Sequence, residues 1–421
     1  MALSVSRTIK AATFAVVAGL FALPSLASAQ EETWSQTATI PVPGLQSFDI
    51  GFVETFTHNY LLASRSNQAI INYYIPAGIL YDPYKGDFVG VAKNANGSVN
   101  NDLSGPNGVI AFLNPDSGSY EVWVGDGPQA NAGCQAYLGG VCSTVKIFNQ
   151  QFAPTLPPKQ VVPTGGAARA DELCHDGTDK LVMIANDAEA DFAFGTPFVT
   201  FISTKTYKVV GALQIPQTTN GIEQCQYDPA SGLFFLNLPE VGGPGNDTAD
   251  GQVLAISPTT MKVVATYVIP TADCAGPQGM ALGPEPQLLL GCNAAGPGGV
   301  RNSLIINKHT GAVIAIGWGI GGADEVYFNP TGSHYWITGS SCTASSCLSG
   351  SASPQLVAVD ATGNLAVDQV ITTPKIGTVS PHSVAADPNT QQVFWPNSGG
   401  INVYTSTALD ADDPNSPAWP E

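Results

Sequence analysis

Positive charge is scarce in this chain of 421 residues, where 15 Lys and Arg stand against 33 Asp and Glu for a formal net charge of −18. A surface of that sign repels phosphate backbones and anionic bilayers, which argues against nucleic acid or an acidic membrane as a partner. Charge of either sign is sparse at 11%, yet 44% hydrophobic residues are enough to build a core, so this is not a disordered acidic chain. Long apolar runs are missing as well. Beyond residue 29 no segment reaches 18 apolar residues, and no window shows helical periodicity between caps. The motifs GxSxG, HExxH and CxxC are absent, and the glycine loops GGPGND and AGPGGV open no helix, which excludes a dinucleotide-binding reading.

What is present begins with an export signal. Arg7 and Lys10 precede an apolar run from Ala11 to Leu23, then Pro24 and the small-residue pattern Ala27-Ser28-Ala29. Residues 1–29 therefore read as a signal peptide cleaved before Gln30, giving a secreted or periplasmic protein. The eight cysteines suit that compartment as four disulfides. Cys134 and Cys142 enclose a Gly-rich insertion, and Cys342 and Cys347 bracket a Ser-rich tip, so each pair is expected to staple a loop. Cys274 and Cys292 fall at ends that antiparallel pairing brings together, leaving Cys174 and Cys225 to pair by elimination.

Between residues 48 and 387 one pattern occurs seven times: a turn, a polar residue, a short alternating strand, an Asp/Asn-Pro or Gly turn, then an apolar strand. Aligned, the copies place Asp49, Asn107, Glu172, Glu223, Gln278, Glu325 and His382 at one equivalent position, 47 to 65 residues apart. Strand repeats of about this period indicate a propeller. The fourth copy shows the unit, with IEQCQYD, LFFLNL, GQVLAIS and KVVATYVIP separated by turns as four antiparallel strands. The expected fold is all-β: a seven-bladed β-propeller of four-stranded antiparallel blades, one domain over residues 30–407, followed by an acidic, Pro-rich tail at 408–421. Only INVYTS remains after the seventh inner pair, so TATIPVP near the N-terminus would supply the missing strand and close the circle. The irregular stretch from Tyr73 to Asn101 leaves six and eight blades as alternatives.

The pieces GPNGV (105–109), GPQGM (276–280) and PHSVAADP (381–388) resemble the repeats of YVTN/YncE-like extracytoplasmic propellers and, more distantly, the SMP-30/gluconolactonase and NHL superfamily. The GH and WD signatures of WD40 repeats are absent. The resemblance covers most of the mature chain and implies the propeller; the fold alone does not specify an activity.

In a propeller the equivalent positions become a ring around the channel. Asp49, Glu172, Glu223 and Glu325 would crowd four carboxylates there, and such a set repels unless something neutralises it. Ca²⁺ or Mg²⁺ held by these four side chains is the economical neutraliser, with Asn107 and Gln278 beside it as ligand-binding amides. The lactonase-like resemblance implies a metal on a Glu/Asn/Asn/Asp set, with Asn107 at one Asn position and Gln278 where the related motif has Asp. Asn67, Asn186, Asn237, Asn293 and Asn397, at the ends of second strands with Asp126, Asp187 and Glu240, would form a polar rim that reads a ligand. The leading expectation is a monomeric small-molecule-binding propeller with a divalent cation in an acidic funnel. A metal-dependent lactonase or esterase with His382 as the catalytic base, and a protein-interaction scaffold, are the alternatives. The bland alternative for the ring is a set of polar groups bonded to neighbouring strands. His175 is expected to face a blade interior, and Asp176, Asp228, Asn329 and Asp387 to cap turns. The acidic loop at 246–251 lacks the spacing of a calcium loop.

Overall fold

The computed structural model describes residues 32–134, 139–150, 156–187, 195–340, 345, 348, 350, 354–377 and 380–406. Residues 1–29, read above as an export signal, the tail at 408–421 and the expected Cys342–Cys347 pair lie outside them. The described strands form seven four-stranded antiparallel sheets, each one blade. The innermost strands are Gly51–Glu54, Val109–Asn114, Ala170–Asp176, Cys225–Asp228, Pro277–Leu282, Val326–Asn329 and Ala385–Asp387, for blades 1 to 7 in order. Each contacts the next, and the strand of blade 7 contacts that of blade 1, so the circle is closed. The strand Trp34–Pro41 pairs antiparallel with Gly400–Ser406 and completes blade 7. The stretch that left the blade count open holds the ordinary outer pair of blade 1, Ala69–Tyr74 and Ile79–Lys85.

Alternation explains the blades. Middle strands are apolar on both faces because each sheet is sandwiched between two others, as in LVMIAN and LFFLNL. Outer strands such as Lys208–Gln214 and Lys262–Ile269 bury little. The core is accordingly divided into seven apolar clusters, one at each blade-to-blade interface. Trp123, Trp336 and Trp395 are fully buried in these seams, each worth about 2–3 kcal/mol relative to exposure. Turn chemistry follows the sequence. Asp228 accepts from the amides of Ala230 (3.2 Å) and Ser231 (3.1 Å), and Asp176, Asn329 and Asp387 do the same in their own turns. Asp228 also takes Lys308 of blade 5 at 2.9 Å, a tie between blades.

Three expected disulfides form. Cys134–Cys142 closes the insertion, Cys274–Cys292 joins the ends of a hairpin, and Cys174–Cys225 links the inner strands of blades 3 and 4. Close approach near the axis explains the motif glycines. A Cβ on Gly108 would lie 2.0 Å from the Asp171 carbonyl oxygen, and one on Gly279 would lie 2.9 Å from that of Asp324. The glycine following Asn107 or Gln278 is what lets the next blade sit this near.

Candidate functional site

Six of the seven equivalent residues meet in one cavity of about 620 Å³ at one end of the channel: Asp49, Glu172, Glu223, Gln278, Glu325 and His382. The turn before each inner strand delivers its residue to the axis. Asp171 and Asp324, each one position before a ring glutamate, join them, and so do Arg65 and Arg169. The cavity wall thus holds six carboxyl groups against two guanidinium groups and one imidazole.

The arginines neutralise one side of the ring. Arg65 donates to Asp49 at 2.5 Å and, through Nε, to the Asn107 side-chain oxygen at 2.9 Å. Arg169 pairs with Asp171 at 2.8 Å and with Asp187. Burial pushes the Asp49 carboxyl up, but Arg65, the hydrogen bond from His382 and Arg169 outweigh it and hold the pKa at about 2. Asp171 goes the other way, to about 8, because burial and the charges of Asp49 and Asp187 exceed the pull of Arg169.

Among the described residues, no Lys, Arg or His comes within ion-pair reach of Glu172, Glu223 or Glu325. Burial first, then mutual repulsion with Asp171, Asp49 and Asp324, lifts Glu172 and Glu325 well above the usual carboxylate range. Burial and Asp187 do the same to Glu223. Glu223 accepts from the Gln278 amide at 3.0 Å. Glu325 takes long bonds through Oε2 from Gly51 (3.4 Å) and Val384 (3.3 Å) and is also hydrogen-bonded by the Ser383 side chain, while its buried Oε1 has no partner. The buried Oδ1 of Asp171 likewise has none.

His382 stacks on Phe48, donates Nδ1–H to the Ser380 carbonyl at 2.7 Å, and turns Nε2 toward Asp49 (3.6 Å) and Asp324 (4.0 Å). Burial opposes its charge, but the hydrogen bond to Asp49 and the charges of Asp324 and Asp49 prevail and raise the pKa. When protonated it adds a third positive charge to the site.

The ring amides and the rim asparagines divide. Gln278 and Asn293 line the cavity; Asn107, Asn186, Asn237 and Asn397 do not, because the protein uses their amides itself. Asn107 donates to the carbonyls of Ser104 and Ala170, Asn186 bonds Thr164 and Thr200, Asn237 holds the Gln278 and Gly279 carbonyls, and Asn397 holds that of Pro374. Asp126 pairs with buried Lys146 at 2.8 Å. Glu240 collects the amides of Gly245, Asn246, Thr248 and Ala249, which outweigh its burial and lower its pKa, so the 246–251 loop presents amides to an anion.

The metal set is oxygen-rich, as a hard cation requires, but among the described residues no three His, Cys, Asp or Glu side chains stand close enough to share an ion. Asp49 is taken by Arg65 and His382, and Asn107 by Arg65. The residues as arranged do not fit a shared metal ion.

A second cavity, about 360 Å³, occupies the channel beyond the ring. Phe52, Phe112, His175, Tyr227, Tyr327 and Phe328 line it, whereas Ile50, Glu172 and Glu325 line both chambers. His175 was expected inside a blade. It instead borders this chamber, stacked on Phe112 with centroids 3.5 Å apart, and burial lowers its pKa to about 4 despite Glu121.

Fold and site together define a seven-bladed β-propeller with a carboxyl-rich funnel at one end of its channel. Solved structures share this architecture, among them the WD40 domain of Neurospora crassa Pan2, similar over 90% of this chain and 96% of that one with a TM-score of 0.57. Identity is 8%, so the likeness is one of fold. No family model and no curated protein matches the sequence.

Proposed function

We propose that the funnel binds a small, positively charged solute and that the protein works outside the cytosol. The observation that carries this is the imbalance in one cavity: six carboxyl groups face three cationic side chains, with a buried, unpartnered oxygen on Glu325. Burying such a group costs about 1–3 kcal/mol or more, and a bound cation would relieve it together with the repulsion among the glutamates. The paired cysteines and the N-terminal signal pattern support an oxidising compartment.

A cation-binding role is preferred to hydrolysis. A general base must accept a proton, and the charges of Asp49 and Asp324 favour a His382 ring that already carries one. The six carboxyl groups also make a divalent ion a candidate solute, provided the glutamates close around it or hold it through water. The flat faces would serve a protein partner if the funnel binds nothing. Calorimetric titration at pH 8 with Ca²⁺, Mg²⁺, ethylammonium and acetate tests the reading. At least one cation should bind, Glu223→Gln should weaken it about tenfold, and acetate should give no heat. Binding of acetate as tight as that of any cation would overturn the proposal, as would silence from all three cations.

A further inference from the structure

The geometry points to an amphipathic cation as the solute: an ammonium head at Glu172 and Glu325 with an aromatic or other compact apolar body in the chamber beyond them. This rests on the cation-binding reading above and narrows it to a ligand class. Three observations converge. Glu172 and Glu325 border both cavities, so a head group at the waist has its substituent directed into one or the other. Glu325 Oε1 is buried and unpartnered there, an acceptor waiting for a donor. The chamber beyond has aromatic walls and no cationic residue in its lining, and its imidazole, His175, is held neutral by burial.

Size and chemistry agree. A cavity near 360 Å³ is at the small end of ligand pockets and takes a single-ring molecule. Ring faces reward a nearby ammonium as well as an apolar body. A small inorganic ion would use the carboxylates and leave the aromatic chamber unused, and a neutral aromatic would leave Glu325 Oε1 unpaired.

The test compares three probes on the full mature chain by calorimetry at pH 8: 2-phenylethylammonium, ethylammonium and 2-phenylethanol. The first should bind at least tenfold more tightly than either of the others, and Glu325→Gln should remove most of that affinity while leaving 2-phenylethanol unchanged. Phe112→Leu should weaken the aromatic amine and leave ethylammonium unchanged. Equal affinity for the two ammonium probes, with both lost in Glu325→Gln, would overturn this inference and leave the cation-binding reading standing. Equal affinity for 2-phenylethanol and the aromatic amine would overturn the head-group assignment and the inference with it. No binding by any probe overturns the inference, and the divalent-ion titrations then decide the broader reading.

Discussion

Blades 1 to 3 and blades 4 to 6 contribute acids to the same cavity, yet they treat them differently. On the first arc Asp49, Asp171 and Asp187 each face an arginine, Arg65 or Arg169, at ion-pair distance. On the second, Glu223 and Glu325 find amides and no cation, and Asp324 meets only His382, at 4.0 Å. Glu172, in blade 3, stands at the junction without a cation. The paired arc is structural: its charges are spent on each other and on holding adjacent blades. The unpaired arc keeps unspent acceptor capacity beside open volume, which is where a ligand gains most.

The strongest way to break this contrast is to remove a cation from the paired arc. Arg169→Met would leave Asp171 and Asp187 buried without their partner, and stability measured by denaturant unfolding should fall by about 3–5 kcal/mol. A loss under 1 kcal/mol would show that the arginine is not what holds these carboxylates.

Acidity cuts across the arcs, because Asp171 of the paired arc titrates in the same direction as the unpaired glutamates and Asp49 does not. Asp171, whose pKa is raised from 3.8 to about 8, contributes stability that is complete below 3.8 and lost as pH rises through 8. Glu172, Glu223 and Glu325 are raised in the same direction, and His382, raised above 6.5, also favours the acidic side. Asp49, lowered to about 2, and His175, lowered to about 4, work oppositely: the contribution of Asp49 is present above 3.8 and lost as pH falls through 2, and that of His175 is present above 6.5 and lost as pH falls through 4. Melting temperature should therefore peak near pH 4–5 and decline by several degrees toward pH 8.5. A curve that rises steadily to pH 8 would contradict the crowding of unpaired acids.

Much of this was legible in the chain. Repeat period and alternation give the seven blades and the closing strand, and the aligned position finds six of the side chains that meet in the cavity. Two kinds of information were lost. Arg65 follows the second strand of blade 1 and Arg169 precedes the inner strand of blade 3, so neither occupies the aligned position. The available signal was scarcity: a chain with 15 basic residues places an arginine in Ala-Arg-Ala-Asp-Glu, three residues before a ring glutamate. The ring and rim asparagines show the second loss. Residue type marks a hydrogen-bonding group, but only coordinates reveal that carbonyls of the neighbouring blade already use Asn107 and Asn237. The aromatic chamber went unread because Phe52, Phe112 and Tyr227 look like ordinary core positions of a strand.

A milder change sharpens the contrast from the unpaired side. Glu172→Gln keeps the shape and deletes one repelling charge, so it should stabilise the protein by about 1 kcal/mol at pH 8 and by nearly nothing at pH 4.5, where the native carboxyl is protonated. Equal gains at both pH values would assign the benefit to hydrogen bonding instead of charge.

The smallest effect belongs to a pair outside the channel. Lys180 and Asp116 lie 2.9 Å apart, no farther than Arg169 and Asp171 to within 0.1 Å, but their side chains are 41% and 23% exposed. Water solvates both partners, and holding two long side chains together costs entropy, so Asp116→Asn should change unfolding free energy by about 0.5 kcal/mol or less. Set against Arg169→Met, this comparison holds distance nearly constant and varies burial. If the exposed pair proved worth more than about 1.5 kcal/mol, separation and not desolvation would set the strength of ion pairs in this propeller. Burial would then no longer be what makes the unpaired glutamates costly.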